Sequence, residues 1–244
     1  QDFVAWCWKG GGDAVAGSGS GVTNVSKSVN ADAGFSIVEY TGGGSASNTV
    51  EHGFDNQTPE LIIVKCISDA AFWCVWSSKL TSNYNLSLNL TNAQFAANSG
   101  SNGGLGDATS SDITFVSGSV NLNTVNGSGR DYIAYCFHSV SGYSKIGTYE
   151  GLGTSTVTVS DVGFKPSFIM IKNIDATANW NMYDVRRSTV ADRANKILYP
   201  NLSNSEPSAT NYYFDMNDSG FVVSATNHEQ HNFAGRTYLY MAFK

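Results

Sequence analysis

The chain has 244 residues, of which 41% are hydrophobic and only 14% are charged. Lys and Arg total 14 against 20 Asp and Glu, and the net charge of −6 argues against nucleic-acid binding, because such proteins need a basic surface to neutralise phosphates. Five Trp, 12 Tyr and 13 Phe supply enough core material to exclude a disordered chain, and no apolar run is long enough to span a membrane.

The first nine residues are predicted to form a strand. Residues 2–8 (DFVAWCW) match residues 131–137 (DYIAYCF), so residues 1–9 are interpreted as the last strand of an upstream unit that is missing. Large side chains lie on both faces, and leaving each in water would cost roughly 2 kcal/mol. We therefore expect this strand to be paired, within the chain or with a neighbouring subunit. Residues 10–34, rich in Gly, Ser and Ala, are expected to form a linker.

The rest of the chain is predicted to be a tandem duplication. Residues 129–137 (GRDYIAYCF) match residues 235–243 (GRTYLYMAF), and residues 61–65 (LIIVK) match residues 168–172 (FIMIK). These blocks start 106 and 107 residues apart, and further blocks keep the same order, which is typical of repeated units. Unit 1 is therefore assigned to residues 35–138 and unit 2 to residues 143–244.

Both units are predicted to be all-β, as two tandem homologous β-sandwiches of a jelly-roll-like kind. Their apolar runs are short, rich in β-branched and aromatic residues, and bounded by Gly, Asn, Asp and Ser. Several runs are apolar on both faces, as expected for strands inside a sandwich. The best helix candidates are residues 190–198 and a shorter stretch at residues 91–97.

No residue pattern indicates an enzyme, and no catalytic residue is assigned. The nucleophile elbow, the P-loop and the dinucleotide fingerprint are missing, so no cofactor is expected. His228 and His231 lie three residues apart, but without a third ligand they are interpreted as solvated loop histidines rather than a metal site. Residues 215–220 (DMNDSG) resemble part of a calcium loop, yet a closing Glu is missing, which favours a tight turn into a strand.

Four aromatic residues are weak candidates for a ligand-binding platform. Trp73 and Trp76 in unit 1 match Trp180 and Tyr183 in unit 2. Aromatic faces can stack on sugar rings, whereas duplicated aromatics at duplicated positions also pack duplicated cores. Both interpretations stay open from the sequence.

Two further pairs of residues have structural interpretations. Arg130 and Arg236 precede the last strand of each unit and are expected to pin its entrance by pairing with a carboxylate. The four cysteines are interpreted first as free thiols in the core. Cys66 and Cys74 flank a turn-like segment, and Asn replaces both in unit 2, so a disulfide across a hairpin is the alternative for this pair. The cysteine spacing contains no zinc motif.

The blocks DFVAWCWKGGG, FSIVEYTG, GFKPSFIMIKN and above all DYIAYCFHSVSGYSKIGTYEG resemble a repeat family of marine and cyanobacterial phages. In that family a segment of the last kind joins successive units within large virion proteins, often tail fibres. The resemblance implies a non-enzymatic structural protein located in the virion, as a tail fibre or a surface appendage that contacts the host. It also implies other virion proteins as partners, a homo-oligomer with trimer as the first expectation, and a host surface glycan as a partner to test.

Three alternatives remain at this stage. A capsid decoration protein would differ by its place on the particle. A carbohydrate-binding module of a secreted protein would need an exposed aromatic groove. A polysaccharide depolymerase would need paired carboxylates about 5 to 10 Å apart in a cleft.

Overall fold

The computed structural model describes residues 4–99, 104–116, 122–188, 190–206 and 212–244. Within these ranges the chain is built from antiparallel strands and one 3₁₀ turn, Ala31–Ala33, and no helix could cross a membrane. The strands of the first half are β1 (Val15–Ala16), β2 (Gly19–Ser20), β3 (Thr23–Asn30), β4 (Phe35–Thr41), β5 (Thr49–Glu51), β6 (Leu61–Cys66), β7 (Cys74–Ser77), β8 (Tyr84–Ser87), β9 (Phe95–Ala96), β10 (Gly104–Leu105), β11 (Asp112–Val116) and β12 (Asp131–Phe137). Those of the second half are β13 (Ser144–Glu150), β14 (Thr156–Val159), β15 (Phe168–Asn173), β16 (Asn181–Asp184), β17 (Arg193–Ala194), β18 (Tyr213–Asn217), β19 (Gly220–Ser224) and β20 (Thr237–Phe243).

Each unit is a sandwich of two antiparallel sheets. The sheet that faces the other unit, with eight strands in unit 1 and four in unit 2, is called the large sheet, and the four-stranded outer sheet is called the small sheet. In unit 1 the large sheet has the order β1-β3-β4-β12-β6-β7-β8-β9, and the small sheet has the order β10-β11-β5-β2. In unit 2 the orders are β13-β20-β15-β16 and β14-β19-β18-β17. The four strands β4-β12-β6-β7 thus correspond to β13-β20-β15-β16, which confirms an all-β fold of two tandem homologous sandwiches. The best-matching blocks, β12 and β20, lie at the centre of the shared arrangement.

The two sandwiches stack through their large sheets, so the molecule has four layers and three apolar cores. Core 1 fills unit 1, core 2 fills unit 2, and the middle core lies between the two large sheets. The position of β6 explains why its first four residues are all apolar: Ile62 and Val64 point into core 1, whereas Leu61 and Ile63 point into the middle core. Successive side chains of a strand alternate between faces, and here both faces are buried.

Residues 10–34 are not a linker, contrary to the sequence prediction. Strand β3 pairs with β4, β1 pairs with β3, and β2 pairs with β5 in the small sheet. Side chains on these three strands are exposed or half-buried, so they carry little apolar signal. The pairing depends on backbone hydrogen bonds, which do not require apolar side chains.

Both helix candidates are also wrong. Residues 190–198 contain β17, which pairs with β18, and Leu198, which forms an isolated bridge with Met182. Residues 91–97 contain β9, which pairs with β8. Partners distant in sequence override the weak local helical preference of these short stretches.

Residues 4–9 form no strand, so the predicted pairing within the chain is wrong for the described part of residues 1–9, whereas pairing with a neighbouring subunit stays a prediction. Residues 1–3 lie outside the described ranges. Trp6 and Trp8 are half-buried and pack by their side chains against the middle core. The ring centroid of Trp8 lies 5.4 Å from that of Phe243 and 6.0 Å from that of Phe168. The tryptophans are thus sheltered without joining a sheet.

Candidate functional site

The four candidate aromatic residues are divided among three cores. Trp76 is buried in core 1, Tyr183 in core 2 and Trp180 in the middle core, while Trp73 is half-buried against the middle core. Residues three apart in a strand-like segment point to opposite faces, which places each member of a pair in a different core. This burial is what duplicated core packing predicts, and it excludes Trp76, Trp180 and Tyr183 from an exposed sugar-binding platform.

Hydrogen bonds reinforce the middle core where unit 1 meets unit 2. The indole Nε1 of Trp180 donates to the carbonyl oxygen of Ser87 at 2.9 Å. Two backbone bonds also cross between the units at 2.9 Å each, from Gln94 N to Ile174 O and from Ala178 N to Thr91 O. The two units are therefore joined by directional contacts as well as by apolar packing.

Lys172 adds a charged contact at this junction. Its side chain is fully buried, and Nζ donates to the carbonyl oxygens of Thr91 (3.3 Å), Asn173 (2.5 Å) and Ala176 (3.4 Å). Burial disfavours the charged amine and lowers the pKa of Lys172 to about 8. Since Thr91 belongs to unit 1, the lysine links the two units through backbone oxygens.

Carboxylates near the junction are engaged in ion pairs. Asp184 accepts a hydrogen bond from Trp6 Nε1 at 3.2 Å and from Arg187 Nε at 2.6 Å. Arg187 also pairs with Glu206, and its guanidinium carbon lies 5.5 Å from the Trp6 ring centroid. This cluster fixes the N-terminal segment on unit 2, because one guanidinium holds both carboxylates and the indole.

A tyrosine–asparagine cluster in unit 2 was not found by the sequence analysis. Tyr149 donates to the carbonyl oxygen of His231 at 2.8 Å, and burial raises the pKa of Tyr149 well above its usual value. Buried Asn232 accepts from Leu152 N (2.8 Å) and Gly153 N (3.2 Å). It also donates to the carbonyl oxygens of Thr154 (2.7 Å) and Ala225 (2.6 Å). Both ends of the amide are thus fully used to fix the loop after β13.

Unit 1 contains the same cluster. Tyr40 donates to Val125 O, and buried Asn126 binds the loop after β4 through Gly43 N and Ser45 O. The tyrosine rings are stacked on their cross-strand partners in both units, Tyr40 on Tyr132 at 5.2 Å and Tyr149 on Tyr238 at 5.0 Å between ring centroids. The signal available in the sequence is the shared pattern N-x-x-G-R-x-Y at residues 126–132 and 232–238.

The prediction for the two arginines is confirmed. Arg130 pairs with Asp69 at 2.6 Å, and Arg236 pairs with Glu229 at 3.6 Å. The preceding residues, Gly129 and Gly235, both have φ near +70°, a backbone conformation that favours glycine. The Gly-Arg pair therefore combines a left-handed turn with an ion pair at the entrance to β12 and β20.

The two histidines of unit 2 differ from the expectation of solvated loops. His231 is fully buried: its Nε2 lies 2.7 Å from Tyr183 Oη, and its Nδ1 lies 3.1 Å from His228 Nδ1. Burial and the neighbouring His228 lower the pKa of His231 well below its usual value. Within the described ranges no group of three metal-ligating side chains occurs. The histidine pair is held by hydrogen bonds, and His231 functions as a core residue.

Residues 215–220 form the predicted turn. Strands β18 and β19 are a hairpin in which Asn217 pairs with Gly220, and Ser219 N donates to Asn217 Oδ1 at 3.0 Å. Asp215 is held by Arg193, with Nε 2.7 Å from Oδ1. The segment is thus an Asx turn at the end of a hairpin.

Cys66 and Cys74 are both buried and free, so the candidate disulfide is not formed. The strand register explains this, because Cys74 lies opposite Val64, two positions before Cys66. Such diagonal neighbours are about 7–8 Å apart, beyond the usual disulfide spacing. The thiol of Cys74 instead donates to Asn85 Oδ1 at 3.4 Å, and burial raises the pKa of Cys74 to about 12.

A family model described as a domain of unknown function, DUF7483, matches residues 1–244. The chain therefore belongs to the DUF7483 family. No curated protein and no solved structure matches it.

Proposed function

We propose that the chain is a non-enzymatic structural component of a phage virion, within a tail fibre or another surface appendage that contacts the host. The observation that supports this most is the middle core, in which two repeated sandwiches bury their large sheets against each other. Repeats that share a core and exchange hydrogen bonds behave as one stiff body, which an appendage requires. The resemblance of the joining segment to phage repeats supplies the virion context.

The test is localisation on particles. Antibodies raised against the purified chain would be applied to purified phage particles whose genome encodes it, followed by gold labelling and electron microscopy. Label on tail fibres or other appendages is the expected result, and antibody pre-absorbed with the chain is the control. Label over the capsid shell would replace the proposal with a capsid decoration protein, and particles without label would overturn it.

We infer further that the working form is a homo-oligomer, with a trimer as the first expectation for a fibre, in contact with other virion proteins. Many copies that share buried surface gain stability by mass action. Light scattering coupled to size exclusion measures this directly, and a mass of 26.1 kDa at all concentrations would contradict it.

The depolymerase alternative has a separate assay. Release of reducing ends from host envelope polysaccharide by the purified chain would show catalysis and would contradict a non-enzymatic protein. Buried Asp184 and exposed Glu206 lie on the same guanidinium, because both form ion pairs with Arg187.

A further inference from the structure

A cavity of about 550 Å³ opens in unit 1 beside the junction with unit 2. Its floor is formed by β7 and β8, where Cys74 and Asn85 are buried. Phe72, which is 40% exposed, and half-buried Phe95 supply aromatic surface. Thr177 reaches the cavity from unit 2, so the complete wall requires the stacked arrangement of the two units.

Several polar side chains around this cavity have unused hydrogen-bonding capacity. Ser87, Asn92, Thr124 and Thr177 make no side-chain hydrogen bond within the described ranges. Gln94 accepts from Thr81 N at 2.9 Å through Oε1, which leaves its amide NH₂ free to donate. The wall therefore offers hydroxyl and amide groups, each able to donate or accept, next to aromatic surface.

Charge restricts the class of ligand. The described residues that line the cavity are all uncharged, so an anionic or cationic ligand would find no counter-charge there. A lipid chain is disfavoured as well, since it would leave the polar groups unpaired. A ligand with many neutral hydroxyl groups and an apolar ring face satisfies both the polar groups and the phenylalanines.

We propose that this cavity binds a neutral carbohydrate, as a short oligosaccharide segment. Its volume lies within the roughly 300–1,000 Å³ typical of ligand pockets. Sugar hydroxyls would pair with Ser87, Asn92 and Thr177, and a ring face would lie against Phe72. This inference rests on the proposed function only for the source of the carbohydrate, which would then be the host surface.

The experiment measures binding of the full chain to an array of neutral oligosaccharides of two to four hexose units, beside matched oligosaccharides that contain uronic acid or sialic acid. Isothermal titration with the best neutral compound then gives the dissociation constant. The test variants are the double substitution Phe72→Ala with Asn92→Ala, and Thr177→Trp, which adds bulk at an exposed rim position. Leu152→Ala is the control, because Leu152 is 57% exposed and lies in unit 2 away from the cavity lining.

Binding of neutral compounds that weakens at least tenfold in both test variants, with the control unchanged, is the expected result. Circular dichroism melts of all variants establish that they fold. No binding of any neutral compound, binding of acidic compounds only, or binding that survives both test variants would overturn the carbohydrate site. Any of these results would leave the labelling of virions unaffected, so failure of the site and failure of the proposed function are distinguishable.

Discussion

Replacing Asn232 by alanine should destabilise unit 2 by about 4 kcal/mol. The side chain is fully buried and makes four hydrogen bonds to backbone groups, two as acceptor and two as donor. Each such bond contributes about 1 kcal/mol net, and the backbone groups left unpaired would be buried or half-buried. The loss is large because the same amide joins the loop after β13 to the end of β19.

Asn232→Asp sharpens this prediction. Aspartate keeps the shape and the accepting oxygen, but it directs a second oxygen at the carbonyl oxygens of Thr154 and Ala225, which the amide NH₂ now satisfies. We expect a loss at least as large as that of the alanine variant, because a buried charge would face two acceptors. Asn204→Ala, at an exposed position in the same unit, is the matched control.

Differential scanning calorimetry and urea unfolding followed by circular dichroism measure both effects. A loss below about 1 kcal/mol for the alanine variant, or an aspartate variant as stable as the wild type, would refute the assignment of Asn232 as the residue that fixes this loop. If the two units unfold in separate calorimetric transitions, the equivalent change in unit 1, Asn126→Ala, should lower the midpoint temperature of the transition of unit 1.

Three further predictions concern the cores. Trp180→Ala should cost about 3–5 kcal/mol and separate the calorimetric transitions of the two units. Trp180→Phe should cost less, because a ring still fills part of the space although the bond to Ser87 is lost. A single unchanged transition in the alanine variant would contradict the coupling. Burial lowers the pKa of His231, so below about pH 6.5 the unfolded state binds more protons and the free energy of unfolding should fall with decreasing pH. In His231→Val, which introduces the residue type of the equivalent Val125 in unit 1, the slope of the free energy of unfolding against pH should fall by the equivalent of about one proton. An unchanged slope would contradict this prediction. Titration with a thiol reagent should find one rapidly reacting thiol in the native protein, from exposed Cys7, and four thiols after denaturation without reductant. A count of two thiols in the denatured protein would instead reveal a disulfide.

The strands at the centre of each large sheet could be predicted from the sequence. β6 and β15 are apolar on both faces because each lies between two cores, and the repeated blocks mark β12 and β20 as equivalent. Strands without buried side chains could not be predicted in the same way. β3 has the sequence TNVSKSVN and only exposed or half-buried side chains, so its pairing with β4 depends on backbone groups that no composition pattern reports.

The candidate sites were harder to predict, because residues of the same type at equivalent positions of the two units have different surroundings. Trp73 and Trp180 occupy equivalent positions, yet Trp180 is buried in the middle core and Trp73 is only half-buried against it. The neutral cavity involves Phe72, Asn92 and Thr177, which come from both units. No local motif brings such residues together, and only the stacking of the two sandwiches does.

The N-terminal segment shows how a repeated sequence block can lead to a wrong prediction of pairing within the chain. Residues 2–8 resemble β12, and a strand of that kind belongs at the centre of a large sheet. In unit 1 the position between β4 and β6 is filled by β12, and in unit 2 the position between β13 and β15 is filled by β20. Neither large sheet therefore has an equivalent position left for a third strand of this type. Trp6 and Trp8 can still bury part of their rings against the middle core, which supplies apolar contact without a backbone ladder.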